Sequence, residues 1–185
     1  MSTFRSIQPA EATGLTKTLF DGLQQKLGMV PKLAQQLANS PAALKAYLNW
    51  GANLSEGALN AKLREQIAVA VATENGCDYC LSAHTVLGSL TGLTNEALQS
   101  AQNAEASDPK SAAALRFAVK VVRDRGHLDV SEVHQLRSAG LSDAEIVEII
   151  AVVAVNIFTN YFNHIAGTEI DFPVAAHAPR AAHSR

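Results

Sequence analysis

The stretch Glu65–His84, EQIAVAVATENGCDYCLSAH, decides how this chain folds and points to its chemistry. Its Asn75-Gly76 pair separates the end of one helix from the start of the next and folds the two side by side. The stretch holds both cysteines of the chain, Cys77 and Cys80, three residues apart, with His84 four residues after the second and Glu65 twelve before the first. A dithiol can be oxidised to a disulfide, and a carboxylate and an imidazole can move the protons. If Cys77–Leu90 is helical, each residue turns about 100°, so Cys80 lies about 60° from Cys77 with His84 between them, all on one face. Gly76 puts Cys77 at or just before the helix start. Unpaired N–H groups and the positive dipole end there stabilise a thiolate, which is the reactive form. Glu65 stands on an apolar strip with Val69 and Ala72, whereas Lys62, Gln66 and Thr73 make the polar side. A poorly solvated carboxylate is well suited to accept a proton near neutrality.

Working outward, punctuation divides the chain into helices, and no stretch reads as a strand. A first helix spans Leu15–Leu27 and ends at Gly28; Pro31 opens a short second one. Ser40 fits an N-cap and Pro41 the first helical position of a helix running to about Leu54. Ser55 and Asn60 compete to cap the next. Helices follow from Thr94 to about Asn103 and from Ser107-Asp108-Pro109 to Gly126. Asp129 with Glu132 and Ser142 with Glu145 spell capping boxes. The helix from Glu145 to His164 is apolar nearly all round through Val155, which predicts burial at the domain centre or at a subunit contact. Its second half carries a polar stripe, Asn156, Asn160, Asn163 and His164, at i, i+4, i+7 and i+8. The stripe reads either as an interhelical hydrogen-bond seam or as pocket lining; Asn160, Asn163 and His164, with Tyr79, are the candidate pocket residues. The expected class is all-α: a helical N-terminal arm over residues 1–57, a core over 58–170 and an extended or disordered tail over 171–185, together one structural domain.

Composition agrees. The 185 residues suffice for one domain with a substantial core. Hydrophobic residues make up 48% and aromatics only 5%, so the core is built from Ala, Leu, Val and Ile, which suits close-packed helices. A net charge of -2 without a basic cluster argues against nucleic acid. The N-terminal MSTFRSIQPAEATG has no secretory apolar run. Ile146–Val155, interrupted by Glu148, is too short to cross a bilayer. No membrane partner and a cytoplasmic location are expected. A CxxC closes too short a loop to restrain the unfolded chain much, so the pair is not a structural staple; in a reducing compartment it reads as catalytic or metal-binding.

The pattern LREQIAVAVATENGCDYCLSAHTVLG resembles the core of the carboxymuconolactone decarboxylase superfamily, and within it the AhpD-like alkylhydroperoxidase branch. Glutamate, both cysteines and histidine match in register as E-x11-C-x2-C-x3-H, with NGC before the pair and AH near its end. The resemblance extends more softly through Ser142–His164. It implies an AhpD-like helical bundle that assembles as a trimer-based homo-oligomer, with a hexamer favoured. It also implies reduction of organic hydroperoxides, with Cys80 as peroxidatic thiol, Cys77 as resolving thiol, and Glu65 and His84 as the proton relay. A dithiol reductant, a dihydrolipoyl or thioredoxin-like protein, would complete the cycle. The best-studied alkylhydroperoxidase pattern has a histidine just before the second cysteine, and this chain has Tyr79. Either the relay is shorter here or Tyr79 only positions the site.

Other readings of the same residues stay open. Cys77, Cys80 and His84, with Glu65, could hold zinc, but a second CxxC or His pair is missing and the spacing is tight for one ion. Both cysteines could be small buried hydrophobes. A dithiol redox module or sensor would keep the CxxC without peroxide turnover. A decarboxylase-like lyase would use Glu65 and His84 as acid and base and would not need the cysteines. No flavin, haem or nucleotide fingerprint is present, so a cofactor-free enzyme is expected. His127, His134, His177 and His183 read as surface residues. Trp50, Tyr47 and Leu54 read as an apolar strip for core or subunit contact.

Overall fold

The computed structural model describes residues 2–178. Among them it has no strand: a 3-10 turn at Pro9–Glu11 precedes α1 (Gly14–Leu27), α2 (Lys32–Leu37), α3 (Pro41–Ser55), α4 (Ala61–Glu74), α5 (Asp78–Leu90), α6 (Asn95–Gln102), α7 (Pro109–Arg123), α8 (Val130–Ser138) and α9 (Asp143–Ala166). The all-α expectation holds, and the helix boundaries follow the caps. Asn60 rather than Ser55 caps α4, accepting the Leu63 N–H at 2.9 Å, while Ser55 ends α3; such a cap is worth about 1 kcal/mol. Ser40, Thr94, Asp108, Asp129 and Ser142 cap their helices in the same way.

The most enclosed helix is α4. Ile67, Ala68, Val69, Ala70, Val71 and Ala72 are all buried, because α5, α6, α7 and α9 pack around it. Alternating alanines let those neighbours come close, and the valines and Ile67 fill the remaining space; burying such an aliphatic side chain contributes about 1.5–3 kcal/mol. This enclosure also takes in Gln66, which the sequence put on a polar face.

The apolar α9 is enclosed on one side only. Ile146, Ile149, Val152 and Val153 face the core, while Val147, Ile150, Phe158, Tyr161 and Ile165 form an exposed stripe, with Ile165 65% exposed. By length and composition alone α9 could cross a bilayer; here its inner face is packed on α4 and α7. Glu148 interrupts the apolar run for a local reason, since its carboxylate accepts the Ala58 and Leu59 N–H groups at 2.8 and 2.9 Å. That fixes the loop leading into α4.

Two glycines set the α4–α5 hairpin. Gly76 turns the chain at φ +66, a left-handed conformation that glycine adopts without steric cost. Gly88 sits where an added Cβ would come within 2.7 Å of Leu98 and 3.6 Å of the Glu65 Cβ. Its missing side chain makes room for Leu98 of α6 against α5, next to Glu65.

The C-terminal segment, residues 168–178, is without helix or strand, as an extended tail would be, yet it is tied down. The Lys32 N–H donates to Asp171 at 2.7 Å, the Ala175 N–H donates to Ser82 Oγ at 3.1 Å, and Gln102 holds Ala176 and Ala178. This strap crosses the start of α5. His177, His127 and His134 are exposed as expected, His177 beside Asp78 at 3.1 Å; His183 lies outside the described residues.

Candidate active site

Cys77 is the N-cap of α5, and Cys80 lies in its first turn. Both are free thiols, and both are buried. The Cys77 thiol donates toward Cys80 Sγ across 2.7 Å, while the Cys80 N–H points at Cys77 Sγ at 3.4 Å. From α9, Asn163 Nδ2 donates to Cys80 Sγ at 3.1 Å. The two sulfurs therefore differ sharply. The Cys77 hydrogen bond, followed by that from Asn163 and by the nearby polar groups of Asn160 and Thr159, lowers the Cys80 pKa against the cost of burial. Cys77 moves the other way: donating to Cys80, and being buried, it holds its proton well above the ordinary thiol range. The helix start therefore favours ionisation at Cys80, one turn in, and not at Cys77, where the sequence placed it. Cys77 gives up its proton poorly because a thiolate there would repel charge on Cys80.

Accessibility separates the sulfurs again. A cavity of about 80 Å³ opens beside Cys80, lined also by His84, Tyr47, Tyr79, Thr159 and Phe172 and walled by leucines of α1, α2 and α3. Cys77 does not line it. The volume fits two or three waters or a small reactive head group. Larger grooves lie along α7, but there Lys120 and Arg123 are already paired with Glu132 and Glu74.

Glu65 and His84 meet as the hairpin predicted: His84 Nδ1 lies 2.8 Å from Glu65 Oε2, each side chain 21% exposed. An Nδ1–H donated to the carboxylate leaves Nε2 as the basic nitrogen. His84 is four residues beyond Cys80 on the same helix face and shares the cavity with it; Glu65 stands behind the imidazole, outside the lining.

The remaining sequence candidates divide. Asn163 is in contact with the reactive sulfur. Asn160 is fully buried near it, its Oδ1 accepting from Asn75 Nδ2 at 2.8 Å. Asn156 bonds the Val152 carbonyl within its own helix. His164 is not a pocket residue: it is exposed and reaches the Gly76 carbonyl at 3.3 Å, because position 164 has rotated past the buried face of α9. Tyr79 lines the cavity but acts as a clamp. Its hydroxyl accepts the Leu33 N–H at 3.2 Å, and its ring meets Phe172 edge-on at 5.8 Å. Burial, chiefly, pushes its phenol well above the usual range, so it is a poor proton donor.

Sequence reading missed three cavity residues. Tyr47 was read with Trp50 as part of an apolar strip, yet its hydroxyl lies close enough to Cys80 and Glu65 that burial, with their negative charge, pushes it up to about 12. Thr159 falls between the polar-stripe positions, and Phe172 was assigned to a loose tail. Only Tyr47, a hydroxyl interrupting an apolar strip, carried a local signal.

Residues 41–124 match the model of the carboxymuconolactone decarboxylase family. Over that segment the chain is similar to this superfamily, and its fold is AhpD-like. An uncharacterized peroxidase-related protein from Silicibacter sp. TM1040 is 26% identical, with 91% of this chain and 94% of that one aligned at a TM-score of 0.77. A second, from Ralstonia eutropha JMP134 and described as an alkylhydroperoxidase AhpD core, is 24% identical over 92% of both chains, at a TM-score of 0.83. The debrominase Bmp8, in complex with 2,3,4-tribromopyrrole, shares the fold at 22% identity and a TM-score of 0.79, over 92% of this chain and 94% of its own. No curated protein matches the sequence. The family match supports an enzyme in general terms. It does not fix the reaction, since proteins with this AhpD-like fold include both peroxidase-related proteins and a debrominase.

Proposed function

We propose that this AhpD-like protein is a thiol peroxidase that reduces organic hydroperoxides by cycling Cys80 and Cys77 between dithiol and disulfide. The observation that carries the reading is the asymmetry of the pair: Cys80 faces the cavity and favours its thiolate, while Cys77 sits behind it with its proton retained and its sulfur 2.7 Å away.

His84, held by Glu65 in the tautomer whose Nε2 is free, takes the Cys80 proton. Glu65 acts through the imidazole, stabilising its cationic form, and does not take the proton directly from sulfur. The thiolate attacks the distal peroxide oxygen. The S–O bond forms, the O–O bond breaks, and the alkoxide leaves with the proton from His84 as an alcohol. Cys80 is then a sulfenic acid. The Cys77 thiol attacks that sulfur, expelling water and forming the disulfide. A dithiol reductant, a dihydrolipoyl or thioredoxin-like protein, restores both thiols by exchange and becomes a disulfide itself. The leucine-rich cavity wall favours an alkyl or aryl hydroperoxide over a polar one.

We also assign the protein to the cytoplasm, where thiol reductants keep such pairs reduced, and to a trimer-based homo-oligomer, with a hexamer favoured, in which another copy covers the exposed stripe of α9. Turnover of cumene hydroperoxide with a dithiol reductant tests the chemistry. Cys80→Ser abolishes it, a fall of at least about a thousandfold. Cys77→Ser permits one oxidation and leaves a sulfenate visible by mass. Turnover surviving in Cys80→Ser would refute the reading. Dithiol exchange without peroxide turnover would leave a redox module, and lactone decarboxylation that survives loss of both cysteines would leave a lyase.

A further inference from the structure

One buried donor near the reactive sulfur has nothing to bind. Asn160 is 0% exposed, and Asn75 Nδ2 donates to its Oδ1 at 2.8 Å. That bond fixes the amide and leaves Nδ2 without a hydrogen-bond partner. An unpaired amide donor in the interior is costly to keep. The group lies beside Cys80, whose ionised form it favours. The neighbouring donors are already engaged: Asn163 Nδ2 is bonded to Cys80 Sγ at 3.1 Å, and Thr159 Oγ1 is bonded to the Asn156 carbonyl at 3.0 Å. Asn160 Nδ2 is therefore a vacant hydrogen-bond position next to the sulfur of the resting enzyme.

In the resting enzyme this donor completes no hydrogen bond, but turnover brings an acceptor to it. Peroxide attack puts an oxygen on Cys80: the S–O bond forms as the O–O bond breaks, sulfur loses two electrons to the peroxide, and the alkoxide leaves protonated by His84. The transferred hydroxyl oxygen keeps its proton and brings lone pairs that accept a hydrogen bond, while the negative charge passes to the leaving alkoxide. Resting on the peroxidase reading above, we propose that Asn160 Nδ2 is the hydrogen-bond donor for the oxygen transferred to Cys80, oriented by Asn75. Asn163 serves the sulfur, and Asn160 serves the oxygen. A preorganised donor of this kind needs no reorganisation when the oxygen reaches the sulfur, so it favours the transfer step over the resting thiolate.

The assignment separates two reactions of one thiolate. Alkylation by iodoacetamide puts no oxygen on sulfur, whereas oxidation by cumene hydroperoxide does. Both rate constants are measured in the Cys77→Ser background, at a pH where alkylation has levelled off. Asn160→Leu, which keeps the volume and removes the donor, lowers the oxidation rate constant about tenfold or more while alkylation stays within about twofold. Asn75→Ala, in the turn and outside the core of α9, gives the same pattern at about threefold and covers the case in which Asn160→Leu folds poorly. Parallel losses in both reactions, or an unchanged oxidation rate, would overturn the donor role alone. A Cys77→Ser protein that alkylates normally but does not react with the hydroperoxide would overturn the peroxidase reading and this assignment with it.

Discussion

The segment that matches the family, residues 41–124, and the segments that flank it contribute different things to one site. The matched segment supplies the candidate reacting groups, both thiols and the Glu65–His84 pair, together with Tyr47 of the cavity. The flanks supply the surroundings. Asn160 and Asn163 of α9 polarise Cys80, and Leu33 of α2 and Phe172 of the strap close the cavity. Reactants need particular atoms at fixed spacing, and a hairpin of two adjacent helices provides them. Surroundings need only donors and apolar volume at the right place, and these come from elements distant in sequence. The expectation is that reaction type resides in the hairpin, and rate tuning and selectivity reside in the flanks.

Substitutions in the hairpin test the first half of that division most severely. Glu65→Gln leaves His84 without the charge that supports its cationic form and lowers turnover about a hundredfold; His84→Gln does the same. The double variant is little worse than either single one, because the two act as a unit. Independent, multiplicative losses in turnover would separate Glu65 from the imidazole.

A flank substitution at the sulfur has a smaller effect with a distinct pH signature. Cys80 alkylation rises with pH as thiolate forms, and it levels off below the range of an ordinary thiol because the Cys77 and Asn163 hydrogen bonds lower its pKa. Cys77, raised, stays protonated over that range. Asn163→Leu moves the rise to higher pH by about one unit, so alkylation on the rising limb falls about tenfold while the plateau is unchanged. A lowered plateau with no displacement of the curve would mean that Asn163 shapes the site without tuning the thiol.

The smallest effect belongs to the strap. Phe172→Ala widens the cavity mouth and raises kcat/KM for cumene hydroperoxide relative to tert-butyl hydroperoxide by roughly threefold. Equal changes for both substrates would assign Phe172 to stability alone. Loss of all turnover, as in Cys80→Ser, would break the distinction between hairpin and flank.

Much of this was legible in the sequence where the signal is local. Helix starts are written as caps, and Ser40, Thr94, Asp129 and Ser142 all act as read. The Glu65–His84 contact follows from one glycine turn and helix periodicity. What failed needed knowledge of neighbours. Gln66 reads as polar and is buried, because α4 is surrounded. His164 shares a stripe with Asn160 and Asn163 by number, yet it is rotated off the buried face of α9, which continues through Asn163 to Ala166. Phe172 looks like a residue of a loose tail, but Asp171 and Ala175 tie the chain across α5.

By itself the sequence determined the helical class, the hairpin and the set of reactive groups, since caps, turns and periodicity act over a few residues. Beyond the family resemblance that singles out Cys80, only tertiary structure decided how the two sulfurs differ in ionisation and access. The two cysteines stand in the same motif, and only packing against α9 and the cavity gives Cys80 its donors and its opening while leaving Cys77 enclosed. Burial and hydrogen bonding from distant segments set the ionisation of a thiol, and neither can be read from the spacing of a CxxC.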